Sequence, residues 1–549
     1  MPLLRPSPSD YTTVVKALAN AGAAVSNPQG SRPASKGSVA FVNVSTVAAL
    51  IRGSPRLASI LPRAVVVAAS APAPAPIVPL TNLGSNDGFV VKYDSAGTPL
   101  WVRKVSGTGE DRSISVSVDS SGNVVVVGRY SSNPVTIFAA DGATMFTTLA
   151  NTGGYDAFVV KYNSAGTPQW VRIIGGTGDQ DTLSISIDLT GNIIVLGYYW
   201  SPVNIYNTDG TTFTTLANAG SSDAFVVKYD SSGTPLWARR IGGTGGDYGN
   251  SVSTDSSGNI VVAGVYDSSP LTIFAANGST AFTLTNAGSQ DVFVVKYDSA
   301  GTPQWARRMG GTGANDQATS VSTDSSGNIV VCGSYNSNPL TIFAANGATA
   351  FTLTNSGGLD AFVVKYDSDG TPQWARRMGG TGDNDTANSV STDSSGNIVL
   401  IGQYASSPLN IFAANGATAF TLTNAGILDV FVVKYDSDGT PQWARRLGGT
   451  SNEFGYSVST DSSGNIVLIG RYTSSSLTIY LANGSTEFAT LTNSGSGDAF
   501  VVKYDSAGTP LWARRIRGTG EEWSNSVSID STGNIVVAGW YDSNPLTIT

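Results

Sequence analysis

The side chains with the chemistry to bind or catalyse are carboxylates and aromatic rings that recur at one position of a repeat. They fall in seven short segments that read EDRSI, DQDTL, GDYGN, ANDQAT, DNDTAN, NEFGY and EEWSN. Acidic loops attract cations or basic partners, and ordinary solvated loops use the same residue types. The candidate binding residues are therefore Glu110, Asp111, Asp179, Asp181, Asp247, Tyr248, Asp316, Asp383, Asp385, Glu453, Phe454, Glu521, Glu522 and Trp523.

Residues that common catalytic mechanisms need are missing from the 549-residue sequence. It contains no histidine, which excludes His-assisted nucleophiles, His-ligated metals and the usual general base near neutral pH. Its single cysteine, Cys332, stands where a neighbouring repeat has Ala263, so we predict a small core residue. The sequence therefore predicts no catalytic residue, no cofactor and no metal site.

A repeat organises most of the chain. In one copy, residues 225–229 and 237–241 alternate around a DSSGTP turn, and residues 251–255 and 259–264 flank a Ser-Ser-Gly turn. Two hairpins, and so four short strands, are typical of a β-propeller blade. The phrase FVVKY marks seven copies, which begin at Phe89, Phe158, Phe225, Phe293, Phe362, Phe431 and Phe500.

An extra segment lies between the second hairpin and the next FVVKY, for example at residues 271–285. Its central Asn-Gly is a strong signal for a hairpin turn. We therefore predict an inserted β-hairpin in each blade, which explains why the period of 67–69 residues exceeds that of most propeller repeats.

The repeat resembles the SBBP family of β-propeller repeats. The resemblance rests on D-x-F-V-V-K-Y-D-S-x-G-T-P-x-W-x-R-x-x-G-G-T-G followed by S-V-S-x-D-S-S-G-N-I-V-V-x-G, and it covers residues 86–549. It implies that S-V-S-x-D forms the innermost strand, followed by G-N-I-V-V and FVVKY, with W-A-R-R outermost. In that order the inter-blade loops and the insert-connecting loops share one face, opposite the Gly-containing turns, and the repeats vary most on that insert face.

The chain begins and ends in the middle of a blade. Residues 89–104 supply an outer hairpin, and residues 526–541 supply an inner hairpin with no outer partner. Pairing these segments removes open sheet edges that would otherwise recruit other strands. The fold class predicted is therefore all-β, a seven-bladed β-propeller closed by its terminal segments, with a small mixed N-terminal extension.

Tryptophan and arginine recur on the W-A-R-R strand. Because seven tryptophans occupy one equivalent position, we expect them to pack between blades. The adjacent Arg pairs, such as Arg239 and Arg240, are expected on an exposed edge, where charge discourages aggregation; an acidic partner is the alternative. The seven tryptophans are Trp101, Trp170, Trp237, Trp305, Trp374, Trp443 and Trp512.

The first 70 residues differ from the rest. Residues 1–63 carry a net charge of +6 and the remainder −14, and residues 8–22 have a helix cap followed by helical apolar spacing. We predict a basic arm with a short helix over 1–70, a Pro/Ala-rich linker over 71–78 and the propeller over 79–549. The arm lacks a standard secretion signal, so an intracellular or virion-associated location is favoured.

Two function classes follow from these observations. The first is a non-enzymatic scaffold that binds a protein or glycan through the insert face, with the basic arm contacting an acidic protein surface or nucleic acid. The second is a carbohydrate-active lyase or hydrolase that uses carboxylates around the central channel. The opening MPLLRPSPSDYTTVVKA is similar to the starts of giant DNA virus repeat proteins, which implies a viral accessory or particle-associated protein. No apolar run is long enough for a membrane helix.

Overall fold

The computed structural model describes residues 79–312, 315–382 and 384–549. The predicted arm and linker, residues 1–78, and their short helix lie outside the described residues. Every described element is a β-strand, and the strands form seven sheets arranged as the blades of a closed ring. The predicted all-β, seven-bladed propeller is confirmed.

Each blade contains four principal strands, and we number the blades 1 to 7 by their innermost strands along the chain. The innermost strands are Asp111–Val118, Gln180–Ile187, Asp247–Thr254, Asp316–Thr323, Asp385–Thr392, Glu453–Thr460 and Glu522–Ile529. The second strands are Val124–Tyr130, Ile193–Tyr199, Ile260–Tyr266, Ile329–Tyr335, Ile398–Tyr404, Ile466–Tyr472 and Ile535–Tyr541.

The third and fourth strands of each blade form the hairpin that carries FVVKY and W-A-R-R. In the order of blades 7 and then 1 to 6, the third strands are Asp87–Tyr93, Asp156–Tyr162, Asp223–Tyr229, Asp291–Tyr297, Asp360–Tyr366, Asp429–Tyr435 and Asp498–Tyr504. The fourth strands are Pro99–Ser106, Pro168–Gly176, Pro235–Gly242, Pro303–Gly310, Pro372–Gly379, Pro441–Gly448 and Pro510–Arg517.

The inserted hairpins are present, but each one joins the sheet of the preceding blade. The hairpin that follows the second strand of blade 3 pairs with the fourth strand of blade 2, where Ile273 opposes Ile241. W-A-R-R is therefore the fourth of six strands, which corrects its expected outermost place, and the inserts tie neighbouring blades together. In chain order the insert strands are Val135–Phe138, Met145–Leu149, Val203–Tyr206, Thr212–Leu216, Leu271–Phe274, Thr280–Leu284, Leu340–Phe343, Thr349–Leu353, Leu409–Phe412, Thr418–Leu422, Ser476–Tyr480, Glu487–Thr492 and Thr547–Ile548.

Blade 7 is completed by both ends of the described chain. Its third strand, Asp87–Tyr93, pairs antiparallel with its second strand, Ile535–Tyr541, over seven residues. An isolated bridge from Leu80 to Leu546 continues the split insert on blade 6. The predicted closure is confirmed, and it leaves no unpaired edge where the ring joins.

The hydrophobic core consists of seven clusters, one at each blade junction. Each cluster takes side chains from both faces of the junction, and for this reason the strands are apolar at consecutive positions instead of alternating. Cys332 is fully buried in one cluster, as predicted, and burial raises the pKa of its thiol to about 12.

Tryptophan and the first arginine of each pair join neighbouring blades. The Trp305 indole donates to the Ser368 carbonyl of the next blade at 3.2 Å, and its ring covers Gly370, whose φ is +75°. Arg307 lies over the same ring and donates to the Gly370 carbonyl at 2.8 Å. The structure places the seven tryptophans between blades, and it corrects the expectation that the first arginines lie free on an exposed edge.

The second arginine of the pair is covered by an insert. The Arg308 guanidinium lies 3.9 Å from the Phe343 ring centroid and 3.6 Å from an Asp291 carboxylate oxygen. The same contacts recur at Arg240 and Arg377. These arginines hold the insert against the fourth strand. The expectation that they protect an exposed edge strand from aggregation is therefore wrong.

A buried ion pair fixes each Gly-containing turn between the first two strands. Lys365 lies 3.4 Å from Asp324 and also donates to the Ser437 carbonyl of the next blade at 3.1 Å. Asp324 accepts the backbone N–H groups of Ser326 and Asn328, an Asx-type turn. The Asp324 carboxylate and the Lys365 ammonium thus hold the turn together and join it to the next blade.

Candidate functional site

The inter-blade loops and the loops that lead into the inserts meet on one face, as predicted. At blade 1, the Ser131 N–H donates to the Glu110 carbonyl at 2.8 Å, and the Ser131 hydroxyl accepts the Glu110 N–H at 2.8 Å. This insert face is where the seven repeats differ most, so the candidate residues are found here.

Seven of the eleven predicted acidic residues are buried. In blade 3, Asp247 accepts the Ser268 hydroxyl at 2.6 Å and the Gly243 N–H at 2.7 Å. Such carboxylates hold the two loops together, which corrects their expected role as solvated, partner-attracting groups. The buried candidates are Asp111, Asp181, Asp247, Asp316, Asp385, Glu453 and Glu522.

The remaining candidates are at least partly accessible. The Glu521 side chain is 38% exposed, and the Glu110 side chain is 21% exposed. Asp383 lies outside the described residues. The half-buried candidates are Glu110, Asp179, Tyr248, Phe454, Glu521 and Trp523.

Four aromatic rings form a stack across blades 6 and 7. Phe454 and Tyr456 are nearly parallel with centroids 6.0 Å apart, Tyr456 and Trp523 are 5.4 Å apart, and Trp523 and Trp540 are 5.2 Å apart. The Arg471 guanidinium lies 4.6 Å from the Trp523 centroid. Parallel, offset rings of this kind form a rigid wall with little side-chain freedom left to lose.

Ion pairs continue the stack into blades 1 and 2. Arg112 lies 4.2 Å from the Trp540 centroid and 3.0 Å from Glu110. The same Glu110 oxygen lies 3.0 Å from Arg129, which pairs with Asp181 at 2.6 Å. Burial raises the pKa of the Asp181 carboxyl although Arg129 lies beside it. The arginines are therefore already neutralised by partners within the face.

A second aromatic group ends the series at blades 2 and 3. Tyr198 approaches Asp181 with its hydroxyl at 3.5 Å, and its ring meets Trp200 at 4.8 Å and Tyr248 at 4.9 Å in edge-on geometry. Trp200 is 41% exposed. Arg129 also lies over the Tyr155 ring at 4.7 Å. The exposed indole gives this end of the series a large apolar contact surface.

These residues form one continuous feature, which we call the aromatic–arginine arc. It consists of Phe454, Tyr456, Arg471, Trp523, Trp540, Arg112, Arg129, Tyr155, Tyr198, Trp200 and Tyr248. At the equivalent positions, blades 4 and 5 have the polar residues Gln317, Ser334, Thr386 and Gln403. One side of the insert face is thus rich in aromatic residues and arginine, and the other side has small and amide-bearing polar residues.

Most of the arc was missed from the sequence, because only the inter-blade segments were compared. A second variable column, the residue before the last tyrosine of each second strand, contains Arg129, Tyr198, Val265, Ser334, Gln403, Arg471 and Trp540. These side chains lie directly opposite the variable residues of the innermost strands, as in the Trp523–Trp540 pair. Aligning both columns would have revealed the arc.

Three segments of the chain, residues 236–265, 304–341 and 373–403, match the model of the SBBP β-propeller repeat. These three segments are similar to SBBP β-propeller repeats. The resemblance stated from the sequence is confirmed. Each matched segment runs from the fourth strand of one blade, through the inter-blade loop, into the innermost and second strands of the next blade.

Curated relatives share the repeats. The uncharacterized WD repeat-containing protein L264 of Acanthamoeba polyphaga mimivirus is 28% identical over 77% of this chain, which confirms a similarity to giant-virus repeat proteins. The regulatory protein FlaEY of Caulobacter vibrioides is 26% identical over 54% of this chain. The chain spans about a third of the length of either relative, 34% and 31% respectively.

Solved propellers give weaker likenesses. The WD40 domain of Neurospora crassa Pan2 is 11% identical with a TM-score of 0.32, over 78% of this chain and 89% of that domain. Chaetomium thermophilum Sqt1, solved bound to the N-terminus of ribosomal protein L10, is 10% identical with a TM-score of 0.36, over 80% of this chain and 96% of its own.

A cavity of about 440 Å³ lies on the turn face and is lined partly by Leu189 and Leu236. The turn face therefore varies more between the blades than the repeated turn sequences indicate. Within the described ranges, no cluster of three or more Cys, Asp or Glu side chains is arranged to hold a metal ion. No helix that could cross a membrane occurs in the same part of the chain.

Proposed function

We propose that this protein is a non-enzymatic scaffold that binds a protein partner through the aromatic–arginine arc. The observation that carries the proposal is the concentration of tryptophan, tyrosine and arginine on one side of the insert face. These three residue types dominate the energetics of protein–protein interfaces. The arc stands on strand ends and short loops of a closed ring, so little conformational entropy is lost when a partner binds.

The chemistry of the arc favours recognition through packing. Its arginines are paired with Glu110, Asp181 and Glu521, so a partner meets flat aromatic and guanidinium surfaces with little net charge. Binding at the arc should therefore depend weakly on ionic strength. Steering by unpaired charge would give the opposite behaviour.

The carbohydrate-active enzyme considered from the sequence receives no support from this geometry. That function needs carboxylates that reach a substrate in the channel. Asp111, Asp247 and Asp316 are completely buried and bonded to serine and backbone donors. The described residues on the insert face thus offer no pair of open carboxylates at those positions.

We further propose a viral accessory or particle-associated role, supported by the similarity to the mimivirus WD repeat protein. The basic segment 1–70 is proposed as a separable attachment arm for an acidic protein surface or nucleic acid. Cleavage at the APAPAP linker tests the arm: the freed propeller should keep its melting temperature, and the arm's binding should weaken as salt rises. An arm that stays on the propeller at high salt would be part of the fold.

Photo-crosslinking tests the site directly. A benzophenone amino acid replaces Phe454 in the arc, and in a second variant it replaces Leu236 on the turn face. The proposal predicts a discrete crosslinked protein from position 454 that is lost when Trp200 is changed to Ala, at the other end of the arc. Crosslinking equal to that from position 236 would contradict it.

A glycan array and a polysaccharide-depolymerisation assay with the same preparation distinguish the alternatives. The proposal expects neither retention on glycans nor depolymerisation. Glycan retention that requires Trp523 would show that the arc binds a carbohydrate instead of a protein. Polymer cleavage would overturn the non-enzymatic assignment.

A further inference from the structure

A pair of acidic side chains from adjacent blades meets at six of the seven junctions. At the junction of blades 2 and 3, Asp247 accepts the Gly243 N–H at 2.7 Å, and Asp223 lies against the preceding residue, where a Cβ added to Gly242 would collide with the Asp223 Oδ1. Both carboxyl groups are fully buried. Two buried carboxylates this close repel each other unless a proton or cation lies between them.

The surroundings of the pair supply too little positive charge to ionise both groups. The nearest cation, Arg240, lies 3.7 Å from the Asp223 Oδ2, which also accepts the Ala219 N–H at 2.9 Å. From the strands packed against the pair, Tyr199 and Tyr266 present neutral phenols, and Ser268 donates its hydroxyl. Two carboxylates therefore face one arginine at ion-pair distance.

At least one oxygen in each pair lacks a hydrogen-bond donor among the described residues. The Oδ1 atoms of Asp87, Asp223, Asp291, Asp360, Asp429 and Asp498 are buried without a donor among the described residues. These are the third-strand members of the pairs Asp87–Asp111, Asp223–Asp247, Asp291–Asp316, Asp360–Asp385, Asp429–Glu453 and Asp498–Glu522. A proton held within each pair supplies the missing hydrogen bond.

At the seventh junction, a neutral side chain takes the place of one of the two acids. There Gln180 replaces the inner-strand acid, and both Asp156 and Gln180 are fully buried. The Asp156 Oδ1 accepts the Thr152 hydroxyl at 3.3 Å and the Gly176 N–H at 3.4 Å, so it is not orphaned. The Gln180 amide has about the shape of a protonated carboxyl and carries no charge, and its two polar atoms have no hydrogen-bond partner among the described residues.

We propose that each of the six carboxyl pairs retains one proton in mildly acidic solution, making the blade junctions a built-in pH-sensitive device that loosens as the pairs ionise. The burial of these groups supports this, because it raises the pKa of Asp247 to about 6, of Asp111 and Glu453 to about 7, and of Glu522 to about 8. The inference is independent of any partner at the arc.

The direction of the pH effect follows from linkage. Between the unfolded and folded pKa values, the folded state binds more protons than the unfolded state, so stability falls as pH rises. The loss should run from about pH 4 to about pH 8, the interval between the ordinary and the raised values. Salt-bridged carboxylates with lowered pKa, such as Asp530, act in the opposite direction below about pH 4.

Gln180→Glu tests the proposal by creating a seventh pair. Thermal melts at about pH 5 and about pH 8.5 should show a variant that equals wild type in acid and melts several degrees lower in base. Gln169→Glu, at an exposed position, is the matched control and should show no such difference. Equal destabilisation of Gln180→Glu at both pH values would overturn the proposal.

Asp247→Asn and Asp316→Asn provide the reverse test. Each removes one ionisable partner and keeps its shape, so the double variant should flatten the fall of melting temperature between the two pH values. Difference infrared spectra at about pH 5 should show a protonated-carboxyl C=O band that weakens in the double variant. Absence of that band in wild type, or stability that rises from about pH 5 to about pH 8.5, would contradict the proposal.

Discussion

The blade junctions and the aromatic–arginine arc use the same residue types in opposite ways. At the junctions, tryptophan and arginine occupy equivalent positions in all seven blades, and each indole donates to a carbonyl of the next blade. In the arc, tryptophan and arginine occur at positions that other blades fill with Gln, Thr or Ser. Residue type alone therefore does not separate a structural role from a binding role.

Repetition is what separates the two regions. A contact made seven times stabilises a closed ring, since every junction must satisfy the same geometry. A contact made once breaks the symmetry of the ring, so that part of the surface differs from the equivalent parts of the other blades and can be recognised by a partner. Variants at the junctions should therefore change the stability of the ring, and variants in the arc should change binding.

Ring closure should be the most sensitive feature. Deleting residues 540–549 removes the end of the second strand of blade 7, the Tyr541 bond to the Thr81 carbonyl and the Leu546 bridge. We expect a loss of more than about 5 kcal/mol and a loss of cooperative unfolding, measured by calorimetry and denaturant titration. Fraying limited to blade 7 would show that closure does not support the ring.

A single junction tryptophan should come next. Trp305→Ala removes a ring that is 7% exposed, packs on Gly370 and donates to the Ser368 carbonyl. The expected cost is about 3–5 kcal/mol in the free energy of unfolding, because the cavity and the lost hydrogen bond add to lost burial. Crosslinking at the arc should persist in the folded fraction.

The turn glycines give a matched pair with a smaller effect. A Cβ at Gly370 would lie 2.8 Å from the Trp305 ring, whereas a Cβ at Gly416 would meet nothing within 4 Å, and both residues have positive φ. Gly416→Ala should cost about 1–2 kcal/mol from backbone strain alone. Gly370→Ala should cost about 1–3 kcal/mol more from overpacking. Equal free-energy costs for the two variants would show that the packing of Trp305 on Gly370 does not restrict the side chain at that position.

Much of the fold was predictable, because the FVVKY, G-T-P-x-W and D-S-S-G-N phrases repeat with local turn and strand signals. The tryptophan packing and the closure through residues 89–104 and 526–541 follow from periodicity and unpaired edges. The attachment of each insert to the preceding blade could not be predicted, because Ile273 and Ile241 pair across two blades and their pairing register leaves no local signal.

The candidate site was predicted only in part. Tyr248, Phe454 and Trp523 belong to the arc, but Asp111 and Asp247 look in sequence like loop acids. Their burial depends on serines 21 residues further along the chain, Ser132 and Ser268, which approach only after the second strand has formed. The charge and sequence variability of these loops therefore led to the expectation that Asp111 and Asp247 are exposed, whereas the fold buries them.

One comparison tests the division between junction and arc most directly: Trp305→Ala and Trp523→Ala, each measured for unfolding free energy and for crosslinking from position 454. We expect that Trp305→Ala costs about 3–5 kcal/mol and leaves crosslinking of the folded protein intact, whereas Trp523→Ala costs less and abolishes crosslinking. The reverse result, with Trp523→Ala unfolding the ring and Trp305→Ala removing the partner, would contradict it.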